Sequence, residues 1–114
     1  MANTTDDQNH RARFLHRSEH DTHRLTEILG RSRASPDDTA IADILNIAHR
    51  MMGTAQSLQL HEVAEAAERL CTLCRNSTGR RHELPSRMPQ FAAQIEQLEA
   101  SLAAARDAVP RDNT

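Results

Sequence analysis

Seven histidines and two cysteines are the side chains of this 114-residue chain best suited to covalent or metal chemistry, and His49 stands apart from the other eight. It lies in the run Asp38 to Ala55, DTAIADILNIAHRMMGTA, which reads as one amphipathic helix. Ile41, Ile44, Leu45, Ala48, Met52 and Ala55 recur at three- and four-residue spacing and form the expected core stripe. His49 falls about 100° from the middle of that stripe, in a patch with Ala42, Asn46, Gly53 and Gln56. Gly53, one turn on, has no side chain, so the imidazole is flanked by space. A mid-helix glycine costs roughly 1 kcal/mol relative to alanine, which a chain can tolerate where something has to approach the histidine. From spacing alone, an ordinary surface histidine beside a glycine fits as well. The chemistry on offer is nucleophilic: an imidazole with an unperturbed pKa of about 6.5 carries a free ring nitrogen near neutral pH.

Two other groups invite a chemical reading. His16, His20, His23 and Glu27 are spaced by four, three and four residues and stack along one face of a helix. Imidazoles at i and i+4 can ligate zinc, although the face opposite an apolar stripe is normally solvated surface. Cys71-Thr72-Leu73-Cys74 is formally a CxxC. Redox motifs sit at helix N-termini, where the dipole lowers a thiol pKa, whereas this pair lies near the end of its helix and on the core stripe. Buried, unreactive thiols are the expectation.

The elements that must hold these residues are all helical. Residues 1–9 are polar and without period and are expected to form a short disordered, mobile N-terminal tail; residues 10–110 form a single domain. Between His10 and Gly30 the apolar Phe14, Leu15, Leu25, Ile28 and Leu29 share one side with Ser18 and Thr22, and Gly30 sits where a C-cap would want positive φ. Ser35-Pro36-Asp37-Asp38 reads as N-cap, proline at the first helical position and acids at the N-terminus of the second helix, which ends near Ser57. Leu58 to Leu60 is a turn short enough to force an antiparallel neighbour. The third helix, about Leu60 to Arg75, places Leu60, Val63, Ala64, Ala67, Leu70, Cys71 and Cys74 on one stripe. After a polar loop, Asn76 to Leu84, Pro85, Ser86 and Pro89 belong in or before the first turn of the last helix. Phe91, Ile95, Leu98, Leu102, Ala105 and Val109 make its seam, and Pro110 stops it. Four such stretches predict an all-α, antiparallel up-down four-helix bundle.

The stretch Ala48-His49-Arg50-Met51-Met52-Gly53-Thr54-Ala55, followed by Leu58, Leu60, Val63, Ala64, Ala67 and Leu70, resembles the histidine-containing phosphotransfer (HPt) domain of bacterial two-component phosphorelays. That family's pattern is His, any residue, Leu, Lys, Gly, Ser or Thr, then an apolar helix after a tight turn. His49, Gly53 and Thr54 match, and Met51 stands for the Leu. Met52 stands where the family usually has Lys near the phosphoryl group, and this chain contains no lysine at all. Arg50 or a cation of the partner would have to replace it. Gln59 stands where many members have Gly, and Cys71 where Glu is common. The resemblance implies a carrier that accepts a phosphoryl group on His49 from a receiver-domain aspartate and passes it to another receiver, with Asn46, Arg50, Met52, Gly53 and Gln56 meeting the phosphoryl group or the partner. It implies no cofactor in this chain, Mg²⁺ on the receiver instead, and as partners the receivers of hybrid histidine kinases and response regulators. The competing readings are a docking module that keeps the fold without the chemistry and a metal-binding bundle using His16, His20 and His23.

Composition narrows the classes further. With 14 Arg against 16 acidic residues the formal net charge is −2, so there is no basic field of the kind nucleic acids require. No apolar run reaches the length of a membrane span, and the polar start lacks the apolar core of a signal peptide, which predicts a cytoplasmic protein. No glycine-rich phosphate loop is present, so the phosphoryl carrier is expected to have no ATP-dependent kinase activity of its own.

Overall fold

A computed structural model describes residues 4–32 and 37–108. They form α1 (Thr4–Ser32), α2 (Asp38–Ser57), α3 (His61–Ser77) and α4 (Leu84–Ala108), with one turn of 3₁₀ helix at Arg81–Glu83 and no strand among the described residues. Each helix packs on its neighbours in sequence, α4 closes back on α1, and the two diagonal pairs scarcely touch. Neighbours run antiparallel: Arg11 Nε, in the first half of α1, donates to the Leu58 carbonyl just past the end of α2 at 3.2 Å. Glu19 of α1 likewise pairs with Arg106 near the end of α4. The chain is therefore the all-α antiparallel four-helix bundle that four apolar stripes require.

In α1 the buried stripe is Phe14, Leu15, Ser18, Thr22, Leu25, Ile28, Leu29 and Ser32. Two of its polar members find carbonyls within their own helix: Thr22 donates to Glu19 O at 3.0 Å and Ser32 to Ile28 O at 2.7 Å. The helix is longer at both ends than the sequence pattern suggests. It begins at Thr4, so residues 4–9 of the expected tail are helical, since extending an existing helix adds one hydrogen bond per residue fixed. Residues 1–3 lie outside the described residues. Gly30 is not a C-cap, because the buried Ser32 carries the helix past it and Gly79 is the glycine with positive φ.

At the start of α2 the cap is Asp37, not Ser35. Its backbone is extended and its Oδ1 accepts the amide of Ala40 at 2.8 Å, which satisfies one of the free donors of the first turn. Ser35 and Pro36 lie outside the described residues. At the other end, Leu60 N donates to Ala55 O at 2.8 Å and Gln59 N to Gln56 O at 3.1 Å, the paired bonds of a Schellman motif. Gln59 occupies its left-handed position with φ 60°. This closure reverses the chain within three residues and sets α2 against α3, the most extensive helix contact in the bundle. These are also the helices with fully buried alanines: Ala48 and Ala55 on α2, Ala66 and Ala67 on α3.

The last helix departs from expectation at its start. Leu84 is fully buried and Ser86 Oγ donates to Glu83 O at 2.8 Å, so the helix begins at Leu84 and Pro89 lies inside it rather than in its first turn. Pro85 is harmless at the second position, whereas Pro89 deprives the Pro85 carbonyl of its helical donor. The seam of Phe91, Ile95, Leu98 and Leu102 is buried, with Ala105 packed partly against it. Val109 and Pro110 lie outside the described residues.

Candidate functional site

The buried side of α2 is Ile41, Ile44, Ile47, Ala48, Met51 and Ala55. Leu45 and Met52, expected on the core stripe, are only partly buried against it, while Ile47 and Met51 are 3% and 2% exposed. Relative to the sequence reading the stripe is turned by roughly 40°. The common line of Ile41, Ile44, Ala48 and Ala55 can be widened on either side, and the way α2 is laid against α3 and α1 chooses the Ile47–Met51 side. The turn carries His49 further from the core.

His49 is exposed, as are Ala42, Asn46, Arg50, Gly53 and Gln56 around it. Met52 and Leu45, one turn to either side, are half-buried and give the ring an apolar edge. A Cβ added at Gly53 would meet nothing within 4 Å. Nor is the backbone of Gly53 in the left-handed region. Neither conformation nor packing demands glycine there, so its effect is the bare surface it leaves beside the imidazole. The ring makes no hydrogen bond to another described residue, and the helix backbone alone fixes where it stands. An exposed nucleophile on a rigid helix, flanked by open surface and a cation, is arranged to meet a group presented by another macromolecule.

Between α1 and α2, beginning one turn from His49, runs an open groove of about 390 Å³ lined by Arg13 and Arg17 on one side and Gly53, Thr54 and Ser57 on the other. Neither arginine belongs to the patch read from the sequence. They come from a different helix, and only the antiparallel register of α1 on α2 brings them alongside.

The other two chemical groups are not assembled into sites. His16 and His20 stack edge to face with ring centroids 5.3 Å apart. No three His, Cys, Asp or Glu among the described residues are gathered to hold a metal, so His16, His20 and His23 do not make the ligand set that the metal reading requires. Cys71 and Cys74 are free and fully buried on the core side of α3. Burial pushes the Cys74 thiol up to about 12, with Cys71 adding to the shift and Arg75 opposing it. Cys71 is raised by burial too, against the pull of Arg75. Neither supplies a thiolate near neutral pH.

A four-helix bundle that exposes a histidine on its second helix has the geometry that a histidine phosphocarrier requires. The model of the Hpt domain family matches residues 11–108, nearly the whole of the described chain, and the protein belongs to that family. It is thus a phosphotransfer module of two-component systems; the members of its family are phosphocarriers rather than kinases and interact with receiver domains. No curated protein and no solved structure matches it. No described helix is long and apolar enough to cross a membrane.

Proposed function

We propose that His49 is the phosphoacceptor, taking its phosphoryl group from the aspartyl phosphate of one receiver domain and passing it to the aspartate of another. The observation that carries this reading is the coincidence, in an Hpt chain, of an exposed histidine in the second half of α2 with a glycine that the fold does not need one turn away. A lone pair of a neutral ring nitrogen attacks the phosphorus. The bond to the aspartyl oxygen breaks, the carboxylate leaves with the electron pair, and a P–N bond forms; the positive charge on the ring is relieved by loss of the other N–H proton to water. The reverse sequence returns the group to a second aspartate. Little covalent work falls to the protein beyond holding the nucleophile in line, so rigidity and access matter more than acid–base help. By resemblance to the family the Mg²⁺ belongs to the receiver, no metal ligand is assigned in this chain, and partner and carrier meet in the cytoplasm.

The test is incubation with a panel of radiolabelled phospho-receivers. Wild type should acquire acid-labile label, and His49→Gln should acquire none while keeping its helical signal and thermal midpoint, since the exposed side chain carries little packing. Label persisting in His49→Gln, on His16, His20 or His61, would refute the assignment. A wild-type protein that binds receivers and takes no label would instead be a docking module.

A further inference from the structure

We infer that the groove between α1 and α2 is a second contact site for the receiver, in which Arg13 and Arg17 pair with a carboxylate of the partner and thereby fix which receivers can present their phosphate to His49. The inference rests on the phosphotransfer reading above. Four observations carry it. First, the groove adjoins the histidine: Gly53 forms part of its wall and stands four residues, about 6 Å along the axis, from His49. Second, its lining holds two arginines, His10 and the hydroxyl residues Thr54 and Ser57 over a floor of Phe14, and no carboxylate. Third, both arginines are exposed and neither forms an ion pair with a described residue, whereas Arg80, Arg87 and Arg106 are each paired with a glutamate. Fourth, α2 itself offers only Arg50 as a cation. The charge that α2 lacks is therefore gathered across the groove, on α1.

The occupant follows from the chemistry of the partner. The groove holds two guanidiniums and no carboxylate, so the group of a docked receiver that complements it is an acidic side chain flanking the aspartate that faces His49. Guanidinium is the side chain that meets such groups with two parallel hydrogen bonds, and neighbouring hydroxyls can complete the set. The groove starts a full turn from the imidazole, which makes Arg13 and Arg17 anchors of docking rather than groups that touch the transferring phosphoryl. Charges at the rim of an interface act on association rate and on its dependence on salt.

The experiment measures single-turnover transfer from the phospho-receiver that labels wild type fastest, as a function of receiver concentration and salt. Arg13→Gln and Arg17→Gln should each raise the half-saturating receiver concentration by roughly three- to tenfold, more in combination, with the limiting rate unchanged and a shallower salt dependence. Arg17→Lys should recover part of the loss and Arg17→Glu should deepen it. Ser57→Tyr, which fills the groove from the α2 side and leaves both arginines in place, should also raise the half-saturating concentration, and it keeps the test decisive should an arginine variant fold poorly. An unchanged half-saturating concentration in the double Gln variant would overturn the inference, and so would a fall in limiting rate alone, which would put the arginines on the phosphoryl group. Inorganic phosphate bound in the groove without competing with the receiver would overturn it in favour of a small-anion site. Failure of this proposal leaves wild type labelled with all variants equal to it; failure of the phosphotransfer reading leaves wild type unlabelled, and the groove proposal falls with it.

Discussion

At the scale of single residues, the two glycines that lie within helices separate function from fold. Gly30 and Gly53 both lie inside helices, neither has positive φ, and an added Cβ at either meets nothing within 4 Å. Gly53 should therefore destabilise its helix by about 1 kcal/mol relative to a good helix former, and Gly30, in the last turn of α1, by less. Gly53→Leu is expected to raise the thermal midpoint by about 4 °C in a domain of this size, and Gly30→Leu, in the last turn of α1, by less. Only Gly53→Leu crowds the His49 face, and it should slow phosphotransfer by about tenfold or more while Gly30→Leu leaves it unchanged. Scanning calorimetry with transfer assays on both variants checks this; equal transfer rates would show that the bare surface at Gly53 has no part in docking. The histidine was conspicuous in the sequence because it stands off the apolar stripe of an amphipathic helix, and so was Gly53, the bare position beside it. Arg13 and Arg17 were not, for charged residues on a polar helix face look alike until a neighbouring helix is laid against them.

At the scale of elements, the hairpin of α2 and α3 rests on its three-residue closure. Gln59 holds the left-handed position of the Schellman motif at φ 60°, where a residue with a Cβ is strained by roughly 1–2 kcal/mol. Gln59→Gly relieves that strain and gives back part of it as added freedom of the unfolded chain, so a net gain of about 1 kcal/mol is expected by urea denaturation. A loss of stability would mean that the Gln59 side chain contributes contacts of its own. The turn was recognisable from its length and from the apolar runs on either side. Its handedness at Gln59 was not, because glutamine carries no preference that announces it.

At the scale of the molecule, an unusual composition makes the core titrate visibly. The chain has no lysine and no tyrosine, so between the α-amino group and arginine the side chains left to ionise above pH 8 are Cys71 and Cys74. Burial raises both, Cys74 to about 12 from an ordinary value of 9.0. Above pH 9 the unfolded chain releases thiol protons that the folded chain still holds, so stability is full below that pH and falls as pH rises toward 12. The slope approaches about 1.4 kcal/mol per pH unit for each thiol so affected. Urea midpoints taken from pH 8 to 11 should fall for wild type and fall less for Cys74→Ala once its lower starting stability is subtracted. An identical alkaline slope would place the thiols outside the transition. The same burial predicts slow reaction of both thiols with alkylating reagents in the native state.

What the sequence determined by itself was whatever depends on period and punctuation. Four apolar stripes of helical spacing, short connections and near absence of aromatic residues require a helical bundle, and a histidine set off the stripe of α2 beside a glycine marks the reactive face. Tertiary structure decided what depends on which helix lies against which. It turned the buried side of α2 toward Ile47 and Met51, because a stripe two residues wide can be extended on either flank and only the neighbour selects one. It carried α1 past Gly30 and began α4 at Leu84, because Ser32 and Leu84 are buried by other helices and packing outweighs local stop signals. It also set Arg13 and Arg17 beside Gly53, a juxtaposition of residues about 40 positions apart that no local pattern encodes and that antiparallel packing alone creates.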